Sequence, residues 1–96
     1  MPAAARMGDS GVPDCSAFNI ASGSGDVFVN GQGAARQGDS STQHKKRAGI
    51  CPTHTASISS GSGSVFVNGK GFARVGDLLT ECTSIAAGSS NVFVGG

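Results

Sequence analysis

A chain of 96 residues has room for one domain, and its net charge of +1 lacks the surplus of Lys and Arg that nucleic-acid binding demands. No apolar run approaches the roughly 18 residues needed to cross a bilayer, and residues 1–9 hold no apolar stretch of the kind found in a secretory leader. Leu, Ile, Val and Phe together supply nineteen residues against thirty Gly and Ser, so any core is small.

In chain order, Pro2-Ala3-Ala4-Ala5-Arg6 comes first and runs into Met7-Gly8-Asp9. It predicts a short strand ending in a Gly-Asp turn. A loop carrying Cys15 follows, then a Gly-Ser turn at residues 22–25, then Val27-Phe28-Val29. Alternating β-branched and aromatic residues predict a strand, and Asn30-Gly31 directly after them is the preferred pair for a tight hairpin turn. Ala35-Arg36-Gln37-Gly38-Asp39 repeats the opening segment. A long loop then carries His44, Cys51 and His54. Its basic stretch, His44-Lys45-Lys46-Arg47, is too short for a phosphate-binding patch and reads as a solvated loop. A second Gly-Ser turn at residues 60–64 leads to Val65-Phe66-Val67-Asn68-Gly69, and Ala73-Arg74-Val75-Gly76-Asp77 repeats the opening once more. Residues 77–81 have room for one helical turn at most. Cys82, a third Gly-Ser turn at residues 88–90 and Val92-Phe93-Val94-Gly95-Gly96 complete the chain.

The chain is therefore three copies of one unit, each running from Ala-Arg-x-Gly-Asp to the next Val-Phe-Val. From the Arg to the first Val the interval is 21, 29 and 18 residues, so the ends of the unit are fixed and its middle is elastic. The expected fold is all-β, one domain over residues 1–96, with three hairpins sharing a core around an approximate three-fold axis. One hairpin alone is too small to bury its apolar face. The nine Val and Phe residues of the Val-Phe-Val segments are expected to line or wrap that axis. A core this small calls for a staple such as a metal.

Every Cys and His of the chain falls in the elastic loops: Cys15, His44, Cys51, His54 and Cys82. Three cysteines cannot all pair within one chain, and their mixture with two histidines points to metal. Cys15, His54 and Cys82 stand twelve, eleven and ten residues before the first Val of the next Val-Phe-Val, one per unit. A tetrahedral ion needs a fourth ligand, for which His44 and Cys51 are the candidates; Cys51-Pro52-Thr53-His54 has a workable C-x-x-H spacing. Zinc is the default for this donor mixture, with iron as the other possibility. Cys51 and His54 have no evident third group to orient a nucleophile, so the chain is not expected to be an enzyme. A zinc-binding adaptor that recruits a protein partner is the alternative, although the paired C-x-x-C knuckles of zinc ribbons are missing.

Pro2-Ala3-Ala4-Ala5-Arg6 and Gly33-Ala34-Ala35-Arg36 resemble the motif of the PAAR-repeat family, and Gly71-Phe72-Ala73-Arg74 departs from it at one Ala. The Gly-Ser turns leading into Val-Phe-Val-Asn-Gly are also similar to that family's. The resemblance spans essentially the whole chain. It implies a cone of β-hairpins whose triangular base sits on a trimeric β-helical spike, of the VgrG type or of contractile phage tails, with a metal near the apex. It also implies that a His early in the long loop, here His44, is the extra ligand, giving Cys15, His44, His54 and Cys82 with Cys51 as the substitute. The expected role is a structural tip that caps and sharpens a membrane-puncturing spike in the baseplate, one copy per trimer. Val27, Phe28, Val29, Val65, Phe66, Val67, Val92, Phe93 and Val94 would meet the partner. Neither nucleic acid nor a small-molecule substrate is expected, and contact with the target membrane is transient. A fused toxin is not expected. It would end at a virion tail tip or leave a cell through a type VI secretion apparatus after assembly in the cytoplasm.

Overall fold

The computed structural model describes residues 1–13, 16–45, 53–80 and 82–95. Strand β1 (Phe28–Val29) pairs antiparallel with β2 (Gln32–Gly33), Phe28 opposite Gly33 and Val29 opposite Gln32. The two residues between them, Asn30 and Gly31, have φ of 53° and 81°. Two consecutive positive φ values make the turn whose twist matches a hairpin, and Asn-Gly is the pair that adopts it most readily. Between β1 and β2 in one copy and the corresponding pair in the next lies β3 (His44–Lys45), antiparallel to β4 (Thr53–His54). Strands β5 (Phe66–Val67) and β6 (Lys70–Gly71) then repeat the first hairpin, with Asn68 at 53° and Gly69 at 78°.

The third Val-Phe-Val pairs with the start of the chain. Phe93 bridges Ala3, Val94 N–H donates to Pro2 at 2.9 Å, and Ala4 N–H donates to Val92 at 2.9 Å. The last bond repeats Ala34 to Val27 and Phe72 to Val65, both also 2.9 Å. The third hairpin is thus cut at its turn, and the two chain ends close the set.

Inside these hairpins the Ala-Arg segments hold one another. Ala5 N–H donates to Ala73, Ala73 to Ala35 and Ala35 to Ala5, each at 3.0 Å, a closed ring of three hydrogen bonds. All three alanines are fully buried, and a small side chain is what lets three backbones approach this closely. Each Arg-x-Gly-Asp closes on itself. The Asp9 carboxylate accepts from the backbone N–H, Nε and Nη2 of Arg6 at 2.8, 2.9 and 2.8 Å, and the Asp39–Arg36 and Asp77–Arg74 pairs do the same. These carboxylate bonds hold the three guanidinium pKa values above the ordinary arginine range, despite some opposing desolvation. The intervening Gly8, Gly38 and Gly76 sit at φ of 94°, 97° and 94°, where any residue with a Cβ is strained.

Two apolar clusters result. One holds Ala4, Val29, Ala34, Val67, Phe72 and Val94, with Val92 packed against it. The other holds Ala5, Phe18, Ile20, Ala35, Ala56, Ile58, Ala73, Leu79 and Ile85, with Val75 and Cys82 at its margin. The consecutive alanines of the Ala-Arg segments fall one in each cluster.

The expectation that all nine Val and Phe residues wrap the axis is corrected. Only Val29, Val67 and Val94 are buried. Phe28, Phe66 and Phe93 are 58, 59 and 51% exposed, Val27 and Val65 are exposed, and Val92 is half-buried. Side chains alternate faces along an extended backbone, so when the last Val turns inward the Phe before it must turn out. The larger core lies instead around Ile20, Ile58 and Ile85, whose N–H groups donate to the carbonyls of Asp9, Asp39 and Asp77. Among the described residues there is no helix; at residues 77–81, Leu78 and Leu79 form β-bridges to Ser84 and Ile58. The molecule measures 37 × 23 × 23 Å along its principal axes.

Candidate metal centre

The long middle loop contains a hairpin that its composition did not announce. In β3 and β4, His44 stands directly opposite His54. Directly opposed residues of an antiparallel pair project to the same face with Cβ atoms about 5 Å apart, so this register presents both imidazoles together. Their Nε2 atoms are 2.9 Å apart, with ring centroids at 4.4 Å and planes 68° from parallel. Cys82 enters from the third unit and puts Sγ 3.3 Å from His44 Nε2. The three donor atoms all lie within 4.8 Å of one another. His44 is buried, while His54 and Cys82 are half-buried.

His44 Nδ1 is 2.9 Å from the Thr42 carbonyl. A carbonyl oxygen only accepts, so Nδ1 carries the hydrogen and Nε2 of the neutral ring presents its lone pair to His54 and Cys82. This is the outer hydrogen bond that metal-ligating histidines characteristically make. Tetrahedral zinc with bonds of about 2.0–2.1 Å to nitrogen and 2.3 Å to sulfur holds such donors roughly 3.3–3.6 Å apart. The observed 2.9 and 3.3 Å are within a few tenths of an ångström of that, so a small outward movement admits an ion. Two imidazole nitrogens and a thiolate suit zinc, and the residues fit the group.

Of the predicted ligands, His44, His54 and Cys82 come together from two different units. Cys15 and Cys51 lie outside the described residues. His44 heads a stretch that reads as solvated in sequence, yet it is 4% exposed and stacked on Phe18, with ring centroids 4.3 Å apart and planes 20° from parallel. Thr42 and Phe18 escaped the sequence reading. For Phe18 there was a signal: it is the one aromatic residue outside the repeated segments.

Among the described residues there is no pocket, and no helix is long and apolar enough to cross a membrane. A search of curated proteins finds no match. The model of the PAAR motif family matches residues 2–44 and 48–96, nearly the whole chain. Both PAAR-like segments that carry the sequence resemblance fall within those ranges, as do all three copies of the repeated hydrogen-bond pattern. This chain belongs to the PAAR motif family.

Proposed function

We propose that this chain is a structural tip that caps and sharpens a trimeric β-helical membrane-puncturing spike. Family membership supports that role, and the observation that carries it is the closed ring of Ala5, Ala35 and Ala73 hydrogen bonds with its three Arg–Asp turns. One chain ends a three-fold shaft without mismatch only if it presents three like edges itself. The partner surface is the Val-Phe-Val segments: Phe28, Phe66 and Phe93, with Val27 and Val65, expose apolar area that a docked shaft would cover. Val29, Val67 and Val94 hold those segments from behind. The shaft's terminal strands gain backbone partners in the same contact.

The molecule is then a single domain, a cone whose narrow end is tied by one structural zinc ion. Cys15, His44, His54 and Cys82 would hold the ion, with Cys51 as the substitute for His44. The ion supplies no reaction; it links segments distant in sequence and stiffens the end that meets the membrane. Thr42 fixes the His44 tautomer, and the flanking apolar cluster limits water on that side. The protein would travel with its spike, on a phage tail or through a type VI apparatus.

The test is native mass spectrometry of this chain mixed with a trimeric β-helical spike fragment. One copy per trimer is expected, with an affinity that falls only weakly with salt because the net charge of +1 provides little steering. Three copies per trimer, or no complex, would refute the proposal.

A further inference from the structure

The three units share one hydrogen-bond pattern beside the His44, His54 and Cys82 cluster but carry different side chains on it. Gly11 N–H donates to Phe18 at 3.1 Å; the corresponding bonds run from Ser41 to Ala56 at 2.8 Å and from Leu79 to Thr83 at 3.0 Å. At this level the first unit combines no side chain with a phenyl ring, where the second pairs Ser with Ala and the third Leu with Thr. A Cβ built on Gly11 would lie 2.1, 2.3 and 2.8 Å from the outer carbons of the Phe18 ring. The far edge of that ring therefore rests on the Gly11 backbone, and its face lies against the His44 imidazole, 20° from parallel. Phe18 is 2% exposed, so the sandwich is dry.

We propose that Phe18 is a positioning residue of the metal centre: its ring, seated on Gly11, sets the plane of the His44 imidazole so that Nε2 points at His54 and Cys82. The proposal rests on the metal-site reading above. A histidine ring turns about a broad, soft torsion at its last bond, so two restraints are needed to aim one nitrogen. The Thr42 carbonyl fixes which edge of the ring faces inward, and the Phe18 face blocks tilt out of that plane. Neither alone suffices, because a hydrogen bond at one nitrogen leaves the ring free to rock about it. Gly11 belongs to the device, since any side chain there displaces the phenyl ring, and the displaced atoms are the movable end of a side chain rather than backbone.

The experiment loads metal-free protein with cobalt(II), whose visible bands report tetrahedral geometry and whose near-ultraviolet band reports the thiolate bond. Zinc competition then gives relative affinity. Phe18→Leu keeps apolar bulk but removes the flat face. Gly11→Ala pushes the ring away without substituting any ligand or Phe18 itself. Both are expected to weaken metal binding about tenfold or more, the usual range for lost outer-shell support, and to broaden or shift the cobalt bands. Ile58→Val trims the same apolar cluster and should lower the melting temperature without moving the bands or the affinity. If Phe18→Leu does not fold, Gly11→Ala carries the test. Unchanged cobalt spectra and affinity in the folded variants, or an equal loss in Ile58→Val, would overturn the positioning role while leaving the metal site intact. Failure of the unsubstituted protein to take up cobalt would overturn the metal-site reading itself, and this role with it.

Discussion

Replacing Asp39 by Ala should be among the most damaging single changes on this molecule, although the residue is charged and near the surface. The carboxylate accepts from the Arg36 backbone N–H at 2.7 Å, from Nε at 3.0 Å and from Nη2 at 2.9 Å, and Ser22 Oγ adds a longer bond at 3.3 Å. Asp39 is 5% exposed and the Arg36 side chain 16%. Truncation leaves a backbone donor unpaired and takes the carboxylate from a half-buried guanidinium that keeps Asn68 Oδ1 at 3.0 Å and the more distant charge of Asp26. Orphaned buried donors cost about 1–3 kcal/mol each, and breaking one side of a buried ion pair costs about 3–5 kcal/mol in total. Taking about 3 kcal/mol as the working figure, a domain of this size should lose on the order of 12–24 °C in melting temperature. The assay is thermal and guanidinium unfolding at a fixed excess of metal, so that ligand binding does not mask the change. Asp9→Ala and Asp77→Ala remove the same bonds and should fall within about 1 kcal/mol of it, apart from the serine contact that Asp9 lacks and Ser60 gives Asp77. A loss below about 1 kcal/mol, the value of an exposed salt bridge, would refute the reasoning.

Further outcomes separate folding from function. Phe66→Asp, on a side chain 59% exposed, should leave the melting curve nearly unchanged and abolish capping of a trimeric spike fragment in native mass spectrometry; Val67→Asp, on a neighbour 4% exposed, should prevent folding, seen as loss of the unfolding transition. Removing metal with a chelator should lower the melting temperature sharply, and His54→Ala should reproduce most of that drop, because structural zinc contributes on the order of 10 kcal/mol in small domains. Asp26 has its pKa pulled below the ordinary carboxylate value, first by the Asn68 side-chain amide and then by Ser24. Its contribution to stability is therefore present above the unfolded pKa of about 4 and fades as pH falls through the lower folded value. Asn68→Ala should remove this contribution at neutral pH and so flatten that part of the acid limb in a titration of unfolding free energy, with the difference from the unsubstituted protein closing at low pH.

The sequence by itself determined the repetition and hence the architecture. Asn-Gly after Val-Phe-Val specifies a hairpin turn because few residue pairs tolerate two positive φ values, and Arg-x-Gly-Asp closes a turn through contacts only three residues apart. Such interactions are local, so their residues can be read in order. The candidate metal ligands were legible in part for the opposite reason: Cys and His are rare here, and each one found is informative. Only the tertiary structure decided which of them meet, because a hairpin sets His44 opposite His54 while Cys82 arrives from 38 residues beyond His44. It also decided which face of each Val-Phe-Val is buried. Alternation says that Phe and its flanking Val residues part company, but not which side has a core behind it. The Phe18 seat on Gly11 was out of reach of any local rule: a glycine's missing Cβ matters only once a ring from elsewhere in the loop is laid across it.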